Sequence, residues 1–165
     1  MRKGAVEKER PTGLGIRLAL VASEFNSEVT DKMLECAQRR SSEIEARVAY
    51  VCRVPGAYDM PLVVQDLLKK EEVDAVVTLG AVVKGDTKHD EVIAGVLADK
   101  LAELSLRYGK PVTLGVSGPS MTLEQAVSRT EEFAVRAVDA AVKLARTHRA
   151  LVGDRLAREH EVVVE

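Results

Sequence analysis

The stretch Asp74–Val83, DAVVTLGAVV, constrains this chain more than any other. After its first residue it is apolar apart from one Thr and one Gly, and it does not alternate with polar positions. A strand that shows water neither face belongs in a sheet covered on both sides, which is the setting of parallel strands. Three shorter runs repeat the theme: Ile16–Ala22 (IRLALVA), Arg47–Arg53 (RVAYVCR) and Val112–Val116. Segments with helical spacing lie between them. Val29, Met33 and Ala37 mark one apolar face, and Val92, Ile93, Val96, Leu97, Leu101 and Leu104 mark another.

The residues between the runs support the same reading. Asn26 and Ser27 are expected to cap a helix ending near Arg40. Val54-Pro55-Gly56 breaks the second run, and a helix from Tyr58 to about Lys70 takes Pro61 in its first turn, where proline is tolerated. Thr87 and Asp90 have capping-box spacing, with Asp in place of Glu or Gln. The helix they would open runs from about His89 to Tyr108 and stops at Gly109-Lys110-Pro111. Ser117-Gly118-Pro119-Ser120 reads as a loop, and Thr122 with Gln125 forms a second capping box. A short helix to about Thr130 and a longer one to about Arg149 follow.

The order β-α-β-α-β-α-β-α-α predicts right-handed crossovers and a flavodoxin-like three-layer α/β/α domain with a four-stranded parallel sheet. At 165 residues one domain suffices. We expect it at 13–150, with an N-terminal arm at 1–12 that docks on a neighbouring subunit and a charged C-terminal tail at 151–165.

Charge and composition exclude several function classes. Lys and Arg number 24 against 26 Asp and Glu, a net charge of −2, so nucleic acid is not an expected partner. No apolar run approaches membrane length, and no apolar segment follows Arg2 and Lys3 as a signal peptide requires. Cys36 and Cys52 form no C-x-x-C pair and read as free thiols of a cytoplasmic protein. His89, His148 and His160 do not cluster, so no metal site is expected. Gly13-Leu14-Gly15 lacks the third glycine of a dinucleotide fingerprint and precedes its strand.

Ligands of such sheets bind at the C-terminal ends of the strands. Phe25 follows the first strand, either as a lid over the helix start or as a stacking platform for a planar ligand. Asp59 follows the second, either as a first-turn carboxylate or as an acceptor for sugar-like hydroxyls. Lys84-Gly85-Asp86-Thr87-Lys88-His89 follows the third; a Gly turn opening a helix offers backbone N–H groups to phosphate. His89 is there a surface residue or a general acid/base. Arg129 and Arg136 lie on later helices, where a solvated role is equally open. One aromatic, one carboxylate, one Gly turn and one His at successive strand ends suit a planar or polyol substrate together with a phosphate. Proton movement on a carbonyl compound fits better than hydrolysis or redox.

Four stretches carry a more specific signal: Ala22–Asn26 (ASEFN), Val54–Pro61 (VPGAYDMP), Val76–Glu91 (VVTLGAVVKGDTKHDE) and Lys110–Ala126 (KPVTLGVSGPSMTLEQA). In order and spacing they resemble the lumazine synthase family, and the resemblance spans about Ile16 to Ala150. The Lys88–Glu91 run and the Ser117–Thr122 segment look like its archaeal branch. The resemblance implies an enzyme of riboflavin biosynthesis. It would condense 5-amino-6-ribitylamino-2,4-pyrimidinedione with 3,4-dihydroxy-2-butanone 4-phosphate to 6,7-dimethyl-8-ribityllumazine, releasing phosphate and water without a cofactor or metal.

It also implies residue roles. Phe25 would stack on the pyrimidine, with Asn26 shaping the pocket. Ala57, Tyr58 and Asp59 would meet the ribityl side. Ala81, Val82 and Val83 would line the pyrimidine pocket. Gly85, Asp86 and Thr87 would hold phosphate, and His89 would move protons. Leu114 and Arg129 would come from an adjacent subunit of a pentamer-based homo-oligomer, Arg129 onto phosphate. Arg136 is the candidate for a phosphate lysine that this chain lacks. Riboflavin synthase, which would consume the product, is a candidate partner. Two alternatives share the fold: an archaeal-type riboflavin synthase and a non-catalytic lumazine- or flavin-binding shell protein. Phe25-Asn26, the His89 motif and Arg129 speak against the first.

Overall fold

A computed structural model describes residues 12–153. Of the two expected flanking segments, 1–11 and 154–165 lie outside the described residues.

The chain runs β1 (Arg17–Ser23), α1 (Ser27–Glu43), β2 (Arg47–Val54), a single 3-10 turn (Ala57–Asp59), α2 (Met60–Leu68), β3 (Ala75–Val83), α3 (His89–Tyr108), β4 (Val112–Met121), α4 (Leu123–Ser128) and α5 (Thr130–Gly153). The four strands form one parallel sheet in the order β2-β1-β3-β4. Strand pleating sends alternate side chains to opposite faces. Leu18, Leu20 and Ala22 of β1 join Val77 and Leu79 of β3 in a core under α1 and α5. Ala19, Val21 and Val76 point the other way, into a second core under α2 and α3. This is the expected three-layer domain, and β3 is buried along nearly its whole length.

The turns hold several departures. Asn26 takes the N-cap position of α1, but its side chain does not cap: its backbone is left-handed (φ 60°), and its side-chain amide donates to Ala81 O at 2.8 Å instead. Helix α1 continues to Glu43, and α5 continues through 151–153, the start of the expected tail. The capping box of Thr122 and Gln125 forms as expected. The box of Thr87 and Asp90 does not: α3 starts after Lys88 without a side-chain cap.

The largest correction concerns Ser117–Ser120, which is strand and not loop. Strand β4 runs on to Met121, pairing Ser117 with Ala81 and Met121 with Val83 across an irregularity. Proline has no N–H to give a ladder, but β4 is an edge strand, where that donor is dispensable.

At the opposite end of the sheet, Asp74 gathers four donors. Arg17 gives its backbone N–H at 2.7 Å, Nε at 3.0 Å and Nη2 at 3.1 Å, and Arg149 of α5 gives Nη2 at 2.7 Å. Burial works against ionisation of this carboxyl, but the hydrogen bonds from Arg17 and Arg149 outweigh it and hold its pKa below the ordinary value. A depressed folded pKa stabilises the native state above about pH 4, where the unfolded carboxyl is ionised. That share is lost as pH falls through the lower folded value. Asp74→Asn is therefore expected to cost about 2 kcal/mol at pH 7. Thermal melts of both proteins should show the gap closing below about pH 4; a gap independent of pH would remove the charge from the account.

Candidate active site

The strand order places the topological switch point between β1 and β3, where the connections leave in opposite directions. A cleft of about 330 Å³ opens there. Ser23, Phe25 and Asn26 come from the end of β1; Gly56, Ala57 and Tyr58 from beyond β2; Ala81, Val82 and Val83 from the end of β3. Gly85, Thr87, His89, Asp90 and Ile93 complete it from the α3 side.

Two backbone bonds zip the β1 loop onto the β2 loop, Glu24 N to Val54 O at 2.8 Å and Phe25 N to Pro55 O at 3.0 Å. They hold Phe25 out at the cleft mouth, 73% exposed. A core phenylalanine is not left in water without a cost in burial, so this ring is free to cover a flat ligand. The left-handed turn at Asn26 swings its side chain onto β3 and joins the two walls of the cleft.

The opposite end of the cleft is polar. No backbone carbonyl or side chain among the described residues accepts from the amides of Gly85, Asp86 or Thr87. They precede a 20-residue helix whose first N–H groups also lack intrahelical partners. That arrangement suits an anion. The side chains do not supply the matching charge: the segment 84–91 carries two lysines, Lys84 and Lys88, against three carboxylates, Asp86, Asp90 and Glu91. A phosphate bound here needs a cation from elsewhere.

Several expected site residues lie outside the cleft of their own chain. Asp59 turns its Oδ2 onto the Gly56 amide at 2.9 Å and closes the 3-10 turn. Asp86 is exposed beside the cleft without lining it. Leu114 sits midway along edge strand β4, opposite Thr78, and is 47% exposed. Arg129 caps α4 at its C-terminal end, exposed and without an ion pair among the described residues. Arg136 is engaged on α5 with Glu132 at 3.2 Å.

Ser23, Gly56, Asp90 and Ile93 line the cleft without having been singled out as site residues. Ile93 carries the helical apolar signal of a core residue, and Gly56 that of a strand breaker. Asp90 has cap spacing, but its Oδ2 accepts from Ser120 N at 2.8 Å on β4. No group of three or more His, Cys, Asp or Glu among the described residues is placed to hold a metal ion.

Sheet and cleft together define a three-layer α/β domain with a strand-end cleft that has an exposed aromatic ring at one end and unpartnered amides at the other. Comparison with known proteins gives the class a name. The family model described as 6,7-dimethyl-8-ribityllumazine synthase matches residues 15–149. A 6,7-dimethyl-8-ribityllumazine synthase of Pyrobaculum arsenaticum is 54% identical over 136 residues, 82% of this chain and 91% of that protein. That of Sulfolobus acidocaldarius is 49% identical over 150 residues, 91% and 95% of the two chains. That of Saccharolobus solfataricus is 49% identical over 149 residues, 90% and 96%. The chain belongs to the 6,7-dimethyl-8-ribityllumazine synthase family.

Proposed function

We propose that this chain makes 6,7-dimethyl-8-ribityllumazine in riboflavin biosynthesis, from the ribitylamino-pyrimidinedione and 3,4-dihydroxy-2-butanone 4-phosphate. The pyrimidine amine forms an imine with the ketone and water leaves. Phosphate is then eliminated, and ring closure expels a second water. The observation that carries the reading is the cleft itself, with an exposed aromatic ring at one end and unpartnered amides beside His89 at the other.

Phe25 covers the pyrimidine, with Asn26, Ala81, Val82 and Val83 around its edge. Ala57, Tyr58 and Asp59 receive the ribityl chain; Asp59 reaches it with the oxygen not spent on Gly56. Gly85, Asp86 and Thr87 take the phosphate. His89, on the first turn of α3, moves protons between imine, enol and leaving group. Most of the acceleration comes from holding two reactants in register, an entropy term.

The functional unit is a homo-oligomer, pentamer-based, in which Leu114 and Arg129 complete the cleft of an adjacent subunit. The uncompensated charge around Gly85–Thr87 supports this, as do the exposed apolar residues Leu114, Leu123 and Val127. The catalytic domain is 13–150. No helix among the described residues is long and apolar enough to cross a membrane. Two free cysteines suit a cytoplasmic setting.

The test is lumazine absorbance from the two substrates, followed above their spontaneous rate, with lumazine alone in a second tube. Product in the first tube only is the expected result. Riboflavin from lumazine alone would make the chain a riboflavin synthase, and silence in both would leave a binding protein.

A further inference from the structure

Asp90 is the only buried charged residue among those described, 6% exposed, and the only carboxylate lining the cleft. A buried carboxylate is costly unless it is hydrogen-bonded, and a neutral side chain would pack in its place at less cost if nothing needed to be held there. What it holds is the end of β4. Its Oδ2 accepts from Ser120 N at 2.8 Å, thirty positions along the chain. Ser120 sits in a left-handed conformation (φ 59°) with its N–H directed at Asp90 on α3. Two further ties fix the same segment: Lys84 N donates to Met121 O at 2.8 Å, and Gly118 lies against Val82 O. Helix α4, with Arg129 as its C-cap, starts two residues after Met121.

Successive residues of an α-helix lie about 100° apart around its axis. Pinning Asp90 to β4 therefore sets the rotation of the first turn of α3 and the direction taken by its neighbour His89. Ile93, one turn further on, lines the cleft on the Asp90 side and packs on the core under α2 and α3. Negative charge at this end of the helix is also favoured by its dipole.

We propose that Asp90 is a positioning residue: through Ser120 it locks the first turn of α3 so that His89 and the Gly85–Thr87 amides face the bound reactants. The inference rests on the enzymatic reading above. It acts through one hydrogen bond, so an uncharged acceptor replaces it in part.

The test uses the full chain with Asp90→Ala and Asp90→Asn. Steady-state kinetics are measured with both substrates, and hydrogen exchange at the Ser120 amide. Asp90→Ala is expected to lower kcat by roughly 10- to 100-fold, with the pyrimidine KM within about twofold, and to expose Ser120 to exchange. Asp90→Asn, which keeps a carbonyl acceptor, should recover most of kcat and of the Ser120 protection. Asp90→Ala with wild-type kcat would overturn the proposal. So would Asp90→Asn as slow as Asp90→Ala with Ser120 still protected, because charge would then matter and position would not. If Asp90→Ala does not fold, Asp90→Asn decides on the same two readouts. A wild type without turnover would overturn the enzymatic reading, while Ser120 exchange would still report the tether.

Discussion

Arg129→Ala is expected to raise the KM for the butanone phosphate by roughly 10- to 100-fold, the loss of one charge-assisted contact to phosphate. The KM for the pyrimidine should stay within about twofold, because nothing at the Phe25 end of the cleft changes. The reasoning is electrostatic. The loop before α3 offers amides to an anion, but the segment 84–91 carries two lysines against three carboxylates. Arg129 is exposed and unpaired among the described residues, whereas Arg136 is occupied by Glu132. His89→Ala should show the opposite pattern, with kcat down on the order of 100-fold and substrate binding nearly kept. Equal loss of both substrates in Arg129→Ala would remove the arginine from the phosphate site, and unchanged turnover in His89→Ala would make that histidine a surface residue.

Gly118→Ala should be the most damaging small substitution in the fold. Gly118 has φ 100°, in the region that favours glycine, and an added Cβ would lie 2.1 Å from Val82 O and 3.1 Å from Val82 C. Those are backbone atoms of β3, so relief requires moving a strand that is buried between two cores. We expect a loss of about 3 kcal/mol or more. In a chain of this size that lowers the melting midpoint by roughly 10 °C. Val82 and Val83 line the cleft, so any variant that still folds should also bind the pyrimidine more weakly. A midpoint within about 2 °C of wild type would show that the β4 end can separate from β3 at little cost.

Much of this molecule is local information. The unbroken apolar run of β3 and the helical spacing of α3 belong to contiguous residues, and hydrophobic burial acts on them wherever the chain goes. Gly109 ends α3 in a left-handed cap, and Thr122 with Gln125 opens α4, because each motif closes its hydrogen bonds within a few residues. Phe25 and His89 could be placed beside one cleft because both follow strand ends, and a parallel sheet brings such ends together; Ala57, Tyr58 and Ala81 were placed there by the family resemblance.

What was not legible involves partners far apart in sequence. Asp90 has the spacing of a cap, yet its bond goes to Ser120. Asn26 has the chemistry of a cap, yet its amide goes to Ala81. Ser117–Ser120 has the composition of a loop, yet β3 supplies a ladder for it to join. For Asn26 and Asp90 the packed sheet brought a distant partner within 3 Å. The sequence by itself determined the elements, their order and the strand-end residues, because periodicity and capping are local. Only the tertiary structure decided which carboxylate is buried, which amide crosses the cleft and where β4 ends, because a hydrogen bond forms with whatever donor the fold brings into reach once water is excluded.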